Sequence, residues 1–236
     1  MKISESFVEN QVTELKDRDD VRAIAIFGSY ARNSEGDHND LDIYIIVEGN
    51  WRKRVTEEID GVIVEKFFNS MEWAEHYLEE AEEEDNWAYP YRWFSNPDTR
   101  YDPEGLFEKL KKKAEEFKER KLDEEIDEEH LLYSIWDMKQ DIDTKDVGQK
   151  RFMMYKLFDY LIDKNYKIKN EIPVKDNYKV KNLENFDGYM YKLAQDFLTV
   201  SSTFKKEKEL EKMIEHLTKN MEDTNPELKT DKEEFN

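Results

Sequence analysis

Two short apolar runs near the start of the chain have the length and composition of β-strands. They are Ala23–Phe27 and Ile43–Val47, both rich in alanine, isoleucine or valine. Neither run is long enough for a convincing helix. The residues between them are mostly polar, so the pattern predicts two neighbouring strands joined by a polar connection.

Chemistry-bearing residues lie at both ends of this connection. Gly28 and Ser29 open it, and Asp40 and Asp42 stand where the second strand begins. Side chains two apart on a strand leave the same face of the sheet, so the two carboxylates should point to one place. Two neighbouring carboxylates repel each other unless a cation lies between them. Mg²⁺ is commonly held by one or two carboxylates together with substrate phosphates. A glycine lets backbone approach a phosphate and a serine adds a donor, so we predict a metal–nucleotide site.

Apolar positions recur at helical spacing over most of the remaining chain. The predicted helices are Glu5–Asp19, Glu72–Asp85, Glu104–Lys121, His130–Asp143, Lys150–Asn165, Phe186–Phe204 and Glu207–Asn220. Gly61–Asn69 is β-branched and is predicted as a further strand, whereas Trp51–Ile59 carries many charges and is predicted as a short connecting element. Asp102-Pro103 fits an N-cap followed by a proline at the first helical position.

Charge patterning predicts two domains. Residues 111–129 are nearly all charged, which indicates a solvated connector with the domain boundary near Leu122. We therefore predict a catalytic domain over residues 1–121, a helical bundle over 122–222, and a disordered tail over 223–236.

The segment 86–96 is dense in aromatic residues around Pro90. It could be a platform for a nucleobase or substrate, with Arg92 near a phosphate. Buried aromatics are the commoner use of such a cluster, so core packing is the favoured interpretation.

Composition excludes more than it identifies. The 236 residues carry a net charge of −20 and no cysteine. An acidic chain lacks the positively charged surface of a protein that binds long DNA or RNA. Its negative electrostatic field instead favours a small cationic molecule as the substrate. The same charge could equally serve solubility or a salty cytoplasm. No cysteine means no disulfide framework or thiolate metal site, and no stretch is long and apolar enough for a membrane span, so we expect a soluble cytoplasmic protein with no membrane partner.

The joint pattern of Phe27-Gly28-Ser29, a ten-residue spacer and Asp40-Leu41-Asp42-Ile43 resembles the signature of the DNA polymerase β-type nucleotidyltransferase superfamily. The resemblance implies an α/β (α+β) palm with a small mixed sheet, followed here by an α-helical bundle. It also implies two Mg²⁺ ions, an NTP, most simply ATP, bound by Gly28 and Ser29, and a third acid on a later strand. Glu65 is the candidate, because it is the one acid in the predicted strand Gly61–Asn69. Without the motif, a surface glutamate on an edge strand would be the favoured interpretation.

Gly-Ser-Tyr-Ala-Arg and the helical second half resemble the kanamycin-type antibiotic nucleotidyltransferases. That resemblance implies that Arg32 assists phosphate binding, that the protein is a homodimer, and that the acceptor is an aminoglycoside-like antibiotic. It places the general base near Asp137, with Asp141 in reserve and a solvent-exposed helix acid as the plain alternative. Two other functions stay open: nucleotidylation of a protein partner, and a non-catalytic nucleotide-binding interaction module.

Overall fold

The computed structural model describes residues 3–32, 38, 40–81, 88–143 and 146–221. The chain divides into two compact units, Met1–Lys121 and Leu122–Asn236. The predicted disordered tail, residues 223–236, lies outside the described residues.

The first unit combines helices with a five-stranded sheet. Its elements in chain order are α1 (Glu5–Lys16), β1 (Val21–Phe27), α2 (Gly28–Arg32), β2 (Asp40–Val47), β3 (Arg52–Ile59), β4 (Val62–Asn69), α3 (Met71–Glu80), α4 (Ala88–Phe94), β5 (Asp98–Tyr101) and α5 (Leu106–Asp123). Local chemistry begins the helices: the side chain of Ser4 accepts from the Phe7 N–H at the start of α1, and that of Ser70 accepts from the Trp73 N–H at the start of α3.

The sheet is mixed. Its strand order is β3-β4-β2-β1-β5, with β2 and β4 parallel and the other neighbouring pairs antiparallel among the described strands. This confirms the predicted small mixed sheet. Because β4 lies between β3 and β2, the strand that carries Glu65 is interior rather than an edge strand.

The central strand β2 alternates between two cores. Leu41, Ile43 and Ile45 pack on the face that α1 covers, whereas Tyr44 and Ile46 pack on the face covered by residues of α3, α4 and α5. The period of two places Asp40 and Asp42 on this second face. We call it the aromatic face, because Phe27, Tyr44, Phe67, Trp93, Phe94 and Phe107 pack together there.

Two strands differ from the sequence prediction. Residues 51–59 were predicted as a connecting element, but Arg52–Ile59 pairs with β4 along its whole length. Its charged residues are tolerated because β3 is an edge strand, where exposed charges are common. The four-residue strand Asp98–Tyr101, which pairs with β1, was not predicted at all.

The start of α5 is also corrected. We predicted a helix from Glu104 with Pro103 at its first position, but α5 begins at Leu106. Asp102 does act as the cap, since its carboxylate accepts from the backbone N–H groups of Leu106 and Phe107 at 2.8 and 2.9 Å.

The regular elements in the described part of the second unit are all helices. It contains α6 (Glu128–Ile142), α7 (Val147–Ile168), α8 (Asp176–Asn182), a 3₁₀ turn (Leu183–Asn185), α9 (Gly188–Thr199) and α10 (Thr203–Thr218). The prediction of a single helix over Phe186–Phe204 was wrong. The chain turns extended at Val200, and Ser202 caps α10 by accepting from the Lys205 N–H.

An apolar core joins the helices of the second unit. The rings of Phe158 on α7 and Phe197 on α9 are parallel with centroids 4.6 Å apart, and both side chains are buried. Near the start of α9, Asp187 accepts from the Met190 N–H and lies 2.8 Å from the Nε2 of His216 on α10. In the described part of the chain, no helix has both the length and the apolar character needed to cross a membrane.

Candidate active site

The sheet register brings the three predicted acids to one face of two adjoining strands. Asp42 lies opposite Glu65 in the parallel β2–β4 pair, and Asp40 lies opposite Ile63 two residues earlier. Partners in such a register leave the sheet on the same side, and adjacent strands are about 4.8 Å apart. Asp40, Asp42 and Glu65 therefore share the aromatic face, with Asp40 exposed and Asp42 and Glu65 partly buried.

Gly28 brings the turn after β1 against one of these acids. Its φ is +73°, a conformation that residues with a Cβ rarely adopt. A Cβ on Gly28 would lie 2.0 Å from Oδ2 of Asp42. The absence of a side chain at this position is thus what lets the Asp42 carboxylate lie directly against the backbone of the turn.

Ser29, the next residue, is held by a histidine. Ser29 Oγ and His38 Nδ1 share a hydrogen bond of 3.0 Å, and the His38 side chain is buried edge-to-face against Tyr30. Tyr30 in turn donates to Glu5 on α1 at 2.7 Å, and burial together with that carboxylate raises the pKa of Tyr30 to about 12. This chain of contacts fixes the position of the Ser29 hydroxyl, one residue after the glycine that lies against Asp42.

Glu65 is already engaged by an arginine. Arg54 on β3 donates from Nη2 to Glu65 Oε2 at 2.7 Å, and its guanidinium lies 5.0 Å from the centroid of the Phe67 ring. Among the residues that the structure describes, no group of three or more His, Cys, Asp or Glu side chains is gathered closely enough to hold a metal ion. The three carboxylates thus share a face, but Glu65 is paired with Arg54 instead of completing a cluster with the aspartates.

The aromatic residues occupy the same face of the sheet as the acids, at the next positions along the strands. Phe27 immediately precedes Gly28 and stacks on Trp93 with centroids 5.3 Å apart, and Tyr44 follows Asp42 on the same face of β2. Burial raises the pKa of Tyr44 well above its usual range, so its hydroxyl stays neutral. The favoured interpretation of the aromatic segment as core holds for Phe94, which is fully buried, whereas Trp87 lies outside the described residues.

The remaining predicted residues lie at more exposed positions. Arg32 is exposed at the end of α2, four residues after Gly28. Asp137 and Asp141 are exposed on α6 in the second unit. The role of Asp137 as a base stays a prediction, and so does the phosphate-binding role of Arg32.

Sequence reasoning missed the partners of the site residues. Nothing in the sequence indicated that Arg54 contacts Glu65, because this contact depends on the pairing of β3 with β4. His38 was not identified as a partner from the sequence, whereas the structure buries it against Ser29. The only hint for His38 was its place within the spacer, two residues before Asp40.

Comparisons with known proteins agree with this geometry. Residues 9–75 match the family described as "Polymerase beta, Nucleotidyltransferase". No curated protein matches the chain. Among solved structures, the chain is similar to a nucleotidyltransferase-like protein from Exiguobacterium sibiricum 255-15, with 14% identity, a TM-score of 0.54, and coverage of 90% of this chain and 73% of that one. At this identity the likeness shows the fold. The matched segment contains Gly28, Ser29 and all three acids, so the part of the first unit that carries the candidate site is similar to polymerase β-type nucleotidyltransferases.

Proposed function

We propose that the protein transfers a nucleoside monophosphate from an NTP, ATP in the simplest case, to a hydroxyl of a small cationic acceptor, with release of pyrophosphate. The acceptor class that we favour is an aminoglycoside-like antibiotic. The observation that carries the proposal is the placement of Asp40, Asp42 and Glu65 on one face, with the Gly28 turn directly against Asp42.

The two aspartates supply the kind of ligand that a divalent cation takes. Carboxylate oxygens are the ligands that Mg²⁺ prefers, and Asp40 and Asp42 present theirs from alternate positions of one strand. Asp42 and Glu65 are register partners, so a rotation of Glu65 away from Arg54 would add a third carboxylate. When bound, a pair of Mg²⁺ ions would neutralise the triphosphate and polarise the attacking and leaving oxygens.

The residues of the turn suit the phosphates of the nucleotide. Gly28 has no side chain to keep a phosphate away from its backbone, and that backbone lies directly against Asp42. The Ser29 hydroxyl is held in place by its hydrogen bond with His38. Arg32, exposed at the end of α2, supplies a guanidinium that can bind a phosphate in bidentate fashion. These groups act by positioning and by charge, which is where most of the rate enhancement in phosphoryl-type transfer arises.

Charge supports the choice of acceptor. A net charge of −20 attracts a polycationic molecule and disfavours a long nucleic acid. Deprotonation of the acceptor hydroxyl requires a base within hydrogen-bond reach, and a carboxylate such as Asp137, by the kanamycin-type resemblance, is suited to that role.

The test is a turnover assay. The protein is incubated with Mg²⁺, each of the four NTPs in turn, and a panel of aminoglycosides and lincosamides, while pyrophosphate release and a mass gain of one nucleotide are measured. We expect one acceptor to be modified, and Asp42→Asn to abolish the reaction while the protein stays folded. A protein that modifies none of these acceptors but labels a protein in lysate would instead act on a protein substrate. Nucleotide binding that is identical in wild type and Asp42→Asn, without turnover, would refute the catalytic assignment.

A further inference from the structure

The ion pair between Arg54 and Glu65 connects the edge hairpin to the candidate metal site. Arg54 stands opposite Phe67 in the β3–β4 register, and Thr56 stands opposite Glu65. The guanidinium reaches diagonally across the hairpin, over the Phe67 ring, to the Glu65 carboxylate. The Arg54 side chain is 60% exposed and that of Glu65 is 22% exposed, so the arginine comes from the solvent side.

This pairing has a consequence for the charge of the site. Asp40, Asp42 and Glu65 are three acidic side chains on one face, and Arg54 pairs with one of them, Glu65. A divalent ion that uses all three carboxylates has to take Glu65 from a hydrogen-bonded guanidinium. An ion pair whose arginine is largely exposed is weak enough to be exchanged, and a triphosphate offers the planar guanidinium a new anionic partner.

We propose that Arg54 is a positioning residue that holds Glu65 away from the aspartates until a metal–nucleotide complex arrives, so that divalent-cation binding and nucleotide binding are coupled. The proposal rests on the proposed function of the same site. In the nucleotide-free protein Glu65 pairs with Arg54, and the aspartates alone bind the cation weakly. When the nucleotide binds, Arg54 shifts to its phosphates and Glu65 is released to the metal. The Arg54–Glu65 ion pair would thereby lower the metal affinity of the site as long as no nucleotide is bound.

The chain offers a matched control for this arginine. Arg52 lies two residues earlier on the same face of β3 and also stacks on an aromatic ring, with its guanidinium 4.3 Å from the centroid of Trp73. Arg52→Gln removes the same charge from the same strand without touching Glu65. Any difference between Arg52→Gln and Arg54→Gln therefore reports the specific pair rather than the general field.

The experiment measures Mn²⁺ binding by electron paramagnetic resonance, with and without a nonhydrolysable NTP analogue. Without nucleotide, Arg54→Gln should bind Mn²⁺ about threefold to tenfold more tightly than wild type, whereas Arg52→Gln should change the affinity by about twofold at most. Because coupling between two ligands is reciprocal, the gain in Mn²⁺ affinity on adding the analogue should be smaller in Arg54→Gln than in wild type. In a Glu65→Gln background, Arg54→Gln should no longer tighten Mn²⁺ binding beyond the Arg52→Gln effect.

The opposing outcomes are distinct. Equal Mn²⁺ affinities for Arg54→Gln and Arg52→Gln, or a gain that persists undiminished in the Glu65→Gln background, would overturn the role of Arg54 and leave the metal site itself intact. If Asp42→Asn bound Mn²⁺ and the analogue as wild type does, the proposed function would fail and this proposal would fail with it. Circular dichroism of every variant verifies that the comparison is made on folded protein.

Discussion

Replacement of Gly28 by alanine tests how closely the turn and the acids depend on each other. The new Cβ would lie 2.0 Å from Asp42 Oδ2, whereas ordinary van der Waals contact begins at 3.4 Å. The carboxylate oxygen or the turn therefore has to move by about 1.4 Å. Displacement of a catalytic group by about 1 Å can cost on the order of a hundredfold in rate, so we expect the kcat of Gly28→Ala to fall by about that factor.

The substitution also carries a backbone cost. A non-glycine residue at a φ of +73° pays about 1–2 kcal/mol, which corresponds to a fall in Tm of a few degrees. Gly61 has nearly the same φ, +78°, and a Cβ there would meet nothing within 4 Å. Gly61→Ala is thus a control with the same backbone strain and no clash with a carboxylate.

The assay compares pyrophosphate release and thermal unfolding for the two alanine variants. Both should lose similar stability, and Gly28→Ala alone should lose turnover and Mn²⁺ affinity. If Gly28→Ala stayed within about threefold of Gly61→Ala in kcat, the close approach of the turn to Asp42 would not matter for catalysis, contrary to the hundredfold loss expected from the displacement. Equal losses in both variants would attribute the effect to backbone strain instead.

Three further predictions address other parts of the chain. A hydrogen bond from Arg100 lowers the pKa of Glu5 from its ordinary value, so the stability that this contact contributes is present at neutral pH and is lost as the pH falls through the lowered pKa. Glu5→Gln should therefore lower Tm at neutral pH, and the difference from wild type should shrink in acid. Asp137→Asn should reduce kcat by about a hundredfold if Asp137 is the base, and Asp141→Asn, one turn away, should not. Phe197→Ala removes a fully buried ring and should cost about 3–5 kcal/mol in denaturant unfolding.

Much of the first unit could be predicted because its strands are apolar and its motif is compact. The runs that became β1, β2 and β4 have strand composition, and the common face of Asp40 and Asp42 follows from the period of two. The edge strand β3 was missed because its sequence, Arg52–Ile59, is mostly charged and its pairing comes from the hairpin with β4. Local composition carries no signal for such a strand.

The partners of the site residues could not be predicted for a different reason. That Glu65 stands opposite Asp42 depends on the parallel register of β2 and β4, which a single sequence does not encode in any local pattern. The contact of Arg54 with Glu65 and the burial of His38 against Ser29 are likewise products of tertiary packing. The motif predicted the candidate site residues, whereas the side chains that contact them could be identified only from the fold.

The same limit explains the error in the second unit. Apolar residues continue at helical spacing from Phe186 to Phe204, so periodicity alone predicts one helix. The chain instead breaks at Val200, where Ser202 offers its side chain as a cap for the next helix. A serine inside a periodic stretch can be the N-cap of a new helix, and Ser202 is the residue that marks this break in the sequence.

The most direct measurement is a crystal structure with Mn²⁺ and a nonhydrolysable NTP, with the metal located by its anomalous scattering. We expect Mn²⁺ bound to the carboxylates of Asp40 and Asp42, Glu65 turned toward the metal, and the triphosphate beside Gly28 and Ser29. Anomalous peaks at another place, or a triphosphate held away from the Gly28 turn, would contradict this expectation.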